Sequence, residues 1–561
     1  MNEWKPTKGI EPTQELMDII TCDQSVSVLA CAGAGKTELL AQKANYLLVT
    51  GICPWPKRIL SLTFKTEAQA NIKVRIGKRC GEASSRFDSF TFHAFCKSVV
   101  DRFKNILPLS QRPHDGYDIV FKESEAKNNS KILMERLIDM AIIILKERED
   151  VRAMFSNSYS HVFVDEFQDT TNKQYELLKL LFQGTPSKLL SVGDINQSIM
   201  LWADARETVF DDFLNDFSAE QKYLLKNYRA SDEIGRVLDV FIDYIKNPTE
   251  EVESSDVSSP NCSVSIFSNE VQEAKLVSQS IKALIDGGVN NKDICILTKQ
   301  QSALYTERIS GELARLGIEH ADMNELQDAF KEPLGLIFSQ FLKALFSPSL
   351  KNTMEIYGVA LSLNRVEIGD KKEHEIVSTI SQYIAQKREQ LNEQTTIDEL
   401  ISYVVDFVHF LDLGKIKGRW KQYRSVGFYQ KTWNTLETRL RQTYAQVEGV
   451  KDSVVLFNSP NTIHIMNIHK CKGLEYDYVY FVGLEDQAFW NYKSQTFEDN
   501  CAIYVALSRA RKSINITYSM LRANRSYSQW RDNRPSSWSA LSSVYKVLLH
   551  KCKFQRINHT E

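Results

Sequence analysis

The sequence predicts an α/β protein with two parallel-sheet domains. Short apolar runs typical of buried strands alternate with stretches of helical periodicity, the pattern of parallel α/β units. The runs form two clusters along the 561 residues, and a loop rich in small residues follows the first run. The runs are VSVLA, RILSLTF, HVFVDEF and KLLSVGD in the first cluster, and SVSIFS, DICILT, TIHIMNI, DYVYFVGL and SINITYS in the second.

The composition is that of an ordinary globular protein, with 43% hydrophobic residues, 25% charged residues and a net charge of −2. No global field therefore draws the chain to nucleic acid, and any basic surface must be local. The ten cysteines form no C-x-x-C pair, which argues against zinc, iron–sulfur and disulfide frameworks and fits a reducing cytoplasm. No apolar run approaches membrane-spanning length, so we expect a cytoplasmic protein without a membrane partner.

The first apolar run leads into VLACAGAGKTELL, which has the features of a phosphate-binding loop. The spacing from Ala30 to Thr37 fits G-x-x-x-x-G-K-[ST], with Ala30 in the first glycine position. Glycines let backbone N–H groups approach an anion closely, and the following helix N-terminus adds partial positive charge. A chance match in a small-residue turn is the alternative for this loop alone. The predicted nucleotide-binding residues here are Ala32, Gly33, Ala34, Gly35, Lys36, Thr37 and Glu38.

Another apolar strand is followed by the acidic residues Asp165 and Glu166, in VFVDEFQDT. We expect Asp165 and Thr37 to hold Mg²⁺, and Glu166 to deprotonate an attacking water. Two such acids could by themselves be a solvated strand end, but beside a phosphate loop they indicate a catalytic site. The next strand is followed by Gln197, which could sense a terminal phosphate or position water; a polar turn residue is the alternative.

Nine motifs follow one another in a specific order between Gln14 and Arg509. They are PTQE (12–15), ACAGAGKT (30–37), LTFKTEAQANIKVRI (62–76), TFHAFC (91–96), VDEFQDT (164–170), VGDINQSI (192–199), LKNYRAS (225–231), IHKCKGLEYDYVYFVGLE (468–485) and YVALSRA (504–510). In these motifs and their order, the chain resembles the UvrD/Rep/PcrA family of superfamily 1 DNA helicases.

The resemblance implies two RecA-like motor domains that bind ATP between them, each with a mainly helical insertion. We expect the first motor domain at residues 1–97 and 155–222, with its insertion at 98–154. We expect the second at 223–345 and 455–561, with its insertion at 346–454.

The resemblance also assigns residues around ATP. Gln14 would read the adenine edge and Tyr228 would stack on its face, while Glu475 would contact the ribose. Arg229 and Arg509 would reach the γ-phosphate as arginine fingers, and Lys36 would contact the terminal phosphates. For Tyr228, Arg229 or Arg509 taken singly, a core aromatic or a surface arginine is the alternative.

Single-stranded DNA is the implied track, with 3′ to 5′ polarity. Phe64, His93, Trp202 and His469 occupy positions where the family contacts the strand, and stacking with phosphate contacts suits binding without sequence preference. Phe64 and Trp202 could instead be core residues. The chain departs from the family at Q-S-I-M-L-W-A-D-A, where Met200, Ala203 and Asp204 replace a tyrosine, an arginine and a glycine. The lost arginine normally couples the nucleotide site to DNA, and nearby Arg206 is a candidate substitute.

Two functions are compatible with these motifs. One is an ATP-driven 3′–5′ DNA translocase or helicase acting on single strands and single-strand/duplex junctions. The other is an ATP- and DNA-dependent regulatory subunit that controls a partner effector such as a nuclease, because compact UvrD-like proteins similar to this one occur in bacterial anti-phage systems such as Gabija. A non-hydrolysing scaffold is disfavoured, since Glu166, Arg229 and Arg509 are retained.

The segment from Lys415 to Arg441 is basic and aromatic. It carries eight Lys or Arg residues against one Glu, a local net charge of +7. Gly414, Gly418 and Gly427 are expected to break helical continuity and to let backbone N–H groups approach phosphates. This composition suits a surface that grips duplex DNA or an acidic partner. In the alternative, the aromatics pack a core and the cations form its solvated face.

Overall fold

The computed structural model of the chain contains two compact units. The first comprises Met1–Ser259, Asn491–Lys512 and Lys546–Cys552, and the second comprises Pro260–Trp490, Ser513–Tyr545 and Lys553–Glu561. The predicted motor-domain boundaries follow the strand clusters instead and stay a prediction. The structure describes residues 4 to 560 except 12, 65, 116, 121–122, 127, 200–204, 207, 249–257, 324–325, 327–328, 331, 347–349, 365, 367–369, 446, 459–460 and 527–528.

The strands confirm every run that the sequence predicted. They are β1 Val26–Ala30, β2 Arg58–Thr63, β3 Phe87–Thr91, β4 Asp118–Val120, β5 Lys131–Leu133, β6 Tyr159–Asp165, β7 Lys188–Gly193, β8 Glu220–Leu224, β9 Ser259–Phe267, β10 Ile294–Thr298, β11 His320–Asp322, β12 Ile463–Asn467, β13 Tyr476–Phe481, β14 Ala510–Ser519, β15 Leu521–Ser526, β16 Gln529–Pro535 and β17 Phe554–Asn558.

Helices connect these strands. They are α1 Gln14–Thr21, α2 Lys36–Val49, α3 Thr66–Cys80, α4 Phe92–Phe103, α5 Arg136–Glu147, α6 Glu149–Ser158, α7 Asn172–Phe182, α8 Val209–Asp216, α9 Asp232–Lys246, α10 Glu270–Asp286, α11 Ser302–Arg315, α12 Pro333–Phe346, α13 Leu350–Asn364, α14 Glu373–Glu389, α15 Ile397–Phe410, α16 Leu413–Arg419, α17 Val426–Tyr444, α18 Val450–Phe457, α19 Ile468–Cys471, α20 Thr496–Leu507 and α21 Ser542–Lys546. In the described part of the chain, no helix is both long and apolar enough to span a bilayer.

The first unit contains a six-stranded sheet in the order β3-β2-β6-β7-β1-β8, and every neighbouring pair is parallel. Successive residues of β2 and β6 enter apolar clusters on opposite faces, which explains why these strands read as continuous apolar runs. The register aligns Leu29 of β1 with Gly193 of β7, and Asp165 of β6 with Val192. The carboxyl ends of β1, β2, β3, β6, β7 and β8, each followed by predicted site residues, therefore meet at one edge of this sheet.

Some strands of the first unit were not predicted. In β3, Asp88 and Ser89 interrupt the apolar pattern. Asp88 is nevertheless stable there because Arg58 on the neighbouring strand donates two hydrogen bonds of 2.6 Å to its carboxylate. The first insertion, expected to be mainly helical, also contains β4 and β5, which form a small parallel sheet.

The second unit contains a seven-stranded sheet in the order β11-β12-β10-β13-β14-β9-β17. β10 pairs in parallel with β12 and β13, and β14 pairs in parallel with β9. The two sheets and their helices confirm the predicted α/β class.

Along the chain between β11 and β12 of this second sheet, helices α12 to α18 share a separate apolar core. The expectation that Gly414, Gly418 and Gly427 break helices is wrong. Gly414 and Gly418 lie within α16, and Gly427 lies in the first turn of α17. Asp412 caps α16 by accepting hydrogen bonds from the N–H groups of Gly414 and Lys415, so the helix begins despite its glycines.

Candidate nucleotide site

The loop between β1 and α2 adopts the conformation that anion binding requires. Gly33 and Gly35 have φ values of 74° and 85°, in the left-handed region that a glycine adopts without strain. Gly35 directly precedes α2, so Lys36 and Thr37 open the helix. The N–H groups of this first turn and the helix dipole are suited to phosphate.

The segment that carries Tyr228 and Arg229 packs directly against this loop. The N–H of Tyr228 donates to the carbonyl of Gly33 at 3.1 Å. A Cβ on Gly33 would lie 2.4 Å from Oδ1 of Asn227, so only glycine permits this approach. Asn227 Oδ1 also accepts hydrogen bonds from the N–H groups of Arg229 and Ala230. Asn227, which the sequence did not single out, therefore shapes the turn that presents Arg229 to the loop.

The predicted catalytic pair meets at the loop. Nζ of Lys36 lies 3.8 Å from Oε2 of Glu166, and both side chains are largely buried. Glu166 has a φ of 50°, a strained conformation for a residue other than glycine and one that clusters at functional sites. Asp165 Oδ1 accepts the N–H of Glu166 at 2.9 Å, and this contact steadies the strained turn.

A chain of hydrogen bonds connects Glu166 to Arg509. Gln168 Nε2 donates to Glu166 Oε2 at 2.6 Å, and Gln168 Oε1 accepts the N–H of Asp194 at 3.1 Å. Gln197 Nε2 donates to Asp194 Oδ2 at 2.8 Å, and an Arg509 Nη2 hydrogen donates to Gln197 Oε1 at 3.4 Å. Burial raises the pKa of the Asp194 carboxyl, and the Lys36 ammonium opposes this rise.

Arg509 is not the surface arginine of the alternative interpretation, because only 1% of it is exposed. Its Nε donates to the carbonyl of Val505 at 3.0 Å, and Nη2 donates to Ser508 Oγ at 2.7 Å. Arg229 is half-buried within the same unit. The structure thus brings Lys36, Glu166, Gln197 and Arg509 into one connected cluster.

The residues predicted to contact adenine and ribose are more exposed. Gln14 lies on the outer face of α1, where its amide donates to Asp18 Oδ1 at 2.6 Å. Tyr228 is 51% exposed, with the Lys226 ammonium 4.9 Å from its ring centroid. An exposed ring is available for stacking. Glu475 is exposed and belongs to the second unit.

Glu38, predicted as an ATP-binding residue, has its carboxylate engaged elsewhere. Arg75 and Arg79 of α3 lie 2.9 Å and 2.8 Å from it, and Gln42 donates to it at 2.8 Å. Burial alone would raise the pKa of this carboxyl, but hydrogen bonds from Gln42 and Arg79 hold it below the usual range. The Glu38 side chain is therefore positioned to tie α2 to α3.

The predicted DNA-contacting residues are placed unequally. Phe64 and His93 are half-buried and follow β2 and β3, whose last residues Thr63 and Thr91 are register partners. Burial lowers the pKa of His93, which favours the neutral form of its ring. His469 is half-buried in α19 of the second unit.

Trp202, Met200, Ala203 and Asp204 lie outside the described residues. Arg206, the candidate substitute for the lost arginine, is described. Its Nε donates to Asp212 at 2.6 Å and its Nη1 donates to Asn172 at 2.9 Å. These bonds hold the guanidinium against α7 and α8, which does not support the substitution.

The residues predicted for Mg²⁺ fit a hard cation by their chemistry. Thr37 offers a hydroxyl in the first turn of α2, and Asp165 offers a buried carboxylate at the end of β6. Oxygen donors of this kind, completed by phosphate oxygens and water, are what Mg²⁺ prefers.

A parallel sheet whose strand ends carry a glycine loop, a lysine and an acidic pair, with a buried arginine hydrogen-bonded to Gln197 beside them, defines a P-loop nucleoside triphosphatase. Comparison with known proteins gives the family. The UvrD/REP helicase N-terminal domain matches residues 13–115 and 114–218, and the UvrD-like helicase C-terminal domain matches residues 223–449 and 371–520. The chain therefore belongs to the UvrD/Rep helicase family: it is a UvrD-like helicase, an enzyme with ATPase activity, and its two sheets are RecA-like.

Similar proteins cover most of the chain. A probable DNA helicase II homolog of Mycoplasma capricolum is 24% identical over 90% of this chain and 84% of its own length. The ATP-dependent DNA helicase PcrA of Bacillus subtilis is 23% identical, covering 92% and 83%. DNA helicase II of Escherichia coli K12 is also 23% identical, covering 91% and 84%. The family resemblance inferred from the motifs is confirmed.

Proposed function

We propose that this chain is an ATP-dependent motor that moves 3′ to 5′ along single-stranded DNA and separates duplexes at single-strand/duplex junctions. The observation that carries the proposal is that one sheet edge holds the phosphate loop, Glu166 and the predicted strand-contacting residues Phe64 and His93. Glu166, at the end of β6, is thereby one strand away from Phe64, which follows β2, and two strands away from His93, which follows β3. The similar proteins named as DNA helicases support DNA as the substrate.

The geometry suggests how hydrolysis proceeds. The Lys36 ammonium, now 3.8 Å from Glu166, would turn to the terminal phosphates of bound ATP and release the Glu166 carboxylate. Glu166 then accepts a proton from water as the water oxygen bonds to the γ-phosphorus and the bond to the β-phosphate oxygen breaks. Arg229 and Arg509 stabilise the charge on the phosphoryl oxygens. Thr37 and Asp165 would hold Mg²⁺, which neutralises charge on the phosphates when bound.

The test combines two assays on the isolated chain. We expect ATP hydrolysis stimulated by single-stranded DNA, and displacement of a strand from a duplex with a 3′ tail but not from one with a 5′ tail. Displacement from the 5′-tailed duplex alone would contradict the polarity. Stimulated hydrolysis without displacement from either duplex would favour the regulatory-subunit alternative.

The ten cysteines are free thiols, which supports the cytoplasm as the compartment.

Replacing Phe64 with alanine is expected to weaken the affinity for single-stranded DNA by about 1–3 kcal/mol, the loss of one base stack. Fluorescence anisotropy with a labelled oligonucleotide measures this affinity. Phe103→Ala is the matched control, because Phe103 is also half-buried but packs against the apolar core of the first unit. Equal DNA affinity in the wild type and Phe64→Ala would show that the Phe64 ring is a core residue.

The basic segment gives a separate prediction. Four of its five aromatics pack as the alternative interpretation expected, since Tyr423 is fully buried and Trp420, Tyr429 and Trp433 contact the insertion core, whereas Phe428 is 38% exposed. Its cations divide: Arg439 is buried and Arg441 pairs with Asp398 and Glu437. Lys415 and Arg419 are exposed and Lys417 is half-buried, all in the short helix α16.

Replacing Lys415, Lys417 and Arg419 together with alanine is expected to weaken binding to a single-strand/duplex junction, while turnover on plain single strands survives. The slope of log affinity against log salt should shrink by about 0.9 for each lost duplex contact. A triple alanine variant of Lys371, Lys372 and Lys451, exposed in the same insertion, removes the same charge as a control. Junction binding equal to that of this control at two salt concentrations would exclude a duplex-binding role for α16.

A further inference from the structure

Gln168 is a buried residue that has no role in the hydrolysis steps proposed above. Only 2% of it is exposed, and both ends of its amide are engaged in the site. Nε2 donates to the Glu166 carboxylate at 2.6 Å, and Oε1 accepts the N–H of Asp194 at 3.1 Å. The two partners fix which end of the amide is oxygen, because a carboxylate accepts and a backbone N–H donates.

The protein backbone makes room for this amide. A Cβ on Gly193 would lie 2.5 Å from Oε1 of Gln168, so β7 ends in a residue without a side chain where the glutamine approaches. Asp194, the next residue, uses its own carboxylate to hold the turn that follows. It accepts from the N–H of Asn196 at 3.1 Å and from Gln197 Nε2 at 2.8 Å. Gln168 therefore connects Glu166 with the turn that carries Gln197.

Glu166 needs such a support. Its backbone is in the left-handed region, and its carboxylate has Lys36 at 3.8 Å as a charged neighbour that a phosphate would attract. When that ion pair opens, the hydrogen bond from Gln168 still holds Oε2. The amide is neutral, so it fixes the direction of the carboxylate without placing a second positive charge beside it.

We propose that Gln168 is the positioning residue that sets the direction of the Glu166 carboxylate and links it to the turn bearing Gln197. This inference rests on the proposed function, in which Glu166 deprotonates the attacking water. Arg509 reaches the same turn through Gln197. A shift of this turn would therefore be transmitted to the carboxylate through one buried amide.

Two variants of Gln168 test the proposal by steady-state ATP hydrolysis with saturating single-stranded DNA. Gln168→Met removes both hydrogen bonds at similar volume, and we expect kcat to fall about tenfold or more while KM for ATP is unchanged, as for a base that has lost its orientation. Gln168→Glu places a second carboxylate beside Glu166. Because two adjacent carboxylates share a proton, we expect the acidic limb of the pH–kcat profile to move up by about one unit or more.

The matched control is Gln174→Met. Gln174 is as buried as Gln168 and accepts the N–H of Thr171 in the capping box of α7, away from Glu166. This variant should keep the wild-type kcat and pH profile, and thermal unfolding of each variant identifies any loss of folding. If Gln168→Met does not fold, the pH profile of the nearly isosteric Gln168→Glu decides.

A wild-type kcat in folded Gln168→Met, or an unshifted profile in Gln168→Glu, would overturn the positioning role. A rise in KM with kcat preserved would place Gln168 in ATP binding and also overturn it. These results differ from failure of the proposed function, in which the wild-type chain itself would show no hydrolysis stimulated by DNA.

Discussion

Lys36→Ala is expected to abolish measurable ATP turnover. Nζ of Lys36 is the charged group at the start of α2 that faces the acidic pair, and the transferred phosphoryl group needs compensation of its charge. Removing one such donor costs on the order of 10²–10³-fold in kcat, and loss of ground-state contacts to the phosphates adds to this. The measurement is release of inorganic phosphate with and without single-stranded DNA.

Lys97→Ala is the control, because Lys97 is a partly exposed lysine of the first unit that pairs with Asp101. It should hydrolyse ATP as the wild type does. Turnover in Lys36→Ala equal to that of this control would show that the nucleotide site lies elsewhere in the chain.

Glu166→Gln is expected to keep ATP bound but unhydrolysed. An amide has the size of the carboxylate but cannot accept the proton of the attacking water, and loss of a general base costs about 10²–10⁴-fold. ATP affinity should be preserved or improved, because Lys36 no longer has an acidic partner that competes with phosphate. Equilibrium binding of ATP and a single-turnover hydrolysis experiment separate these two effects.

Glu176→Gln removes a partly exposed carboxylate that pairs with Lys146 in the same unit and should behave as the wild type. If Glu166→Gln hydrolysed ATP at the rate of this control, the base would be another residue. If it failed to bind ATP, its role would be in binding the nucleotide.

Much of the fold was readable because the strands are buried on both faces. A strand such as β1 or β6 is therefore mostly apolar, and this signal can be recognised without knowledge of its neighbours. Once the strands are parallel, their carboxyl ends share an edge, so Lys36 and Glu166 could be expected to approach each other before the structure was known. The structure places them 3.8 Å apart.

The remaining features depend on partners that are distant in the chain. The role of Gln168 depends on the hydrogen bond that its Oε1 accepts from the N–H of Asp194. Gly33 is required because Asn227 packs against it. The strand β3 is stabilised by Arg58 rather than by its own sequence. The glycines of the basic segment led to the opposite error, because they predicted a break where a helix forms. The Asp412 carboxylate caps α16 by accepting a hydrogen bond from the N–H of Gly414.

The basic segment also shows that burial and ion pairing cannot be predicted from local sequence. Its charge count was visible in the sequence, but burial of Arg439 and pairing of Arg441 remove part of that charge from the surface. Local composition cannot tell a solvated cation from a paired one. The structure is needed to distinguish the aromatics of α17 that pack on the insertion core from the cations of α16.

The measurement that tests the central claim most directly is the arrival of the protein at the end of single-stranded DNA. The chain is bound to oligonucleotides of increasing length that carry a fluorophore at the 5′ or the 3′ end, and ATP is added with a trap for free protein. We predict an arrival signal at the 5′ label whose delay grows with oligonucleotide length, and no such signal at the 3′ label or with Lys36→Ala. Hydrolysis stimulated by DNA without a length-dependent arrival, or an arrival at the 3′ label, would contradict an ATP-driven 3′ to 5′ motor.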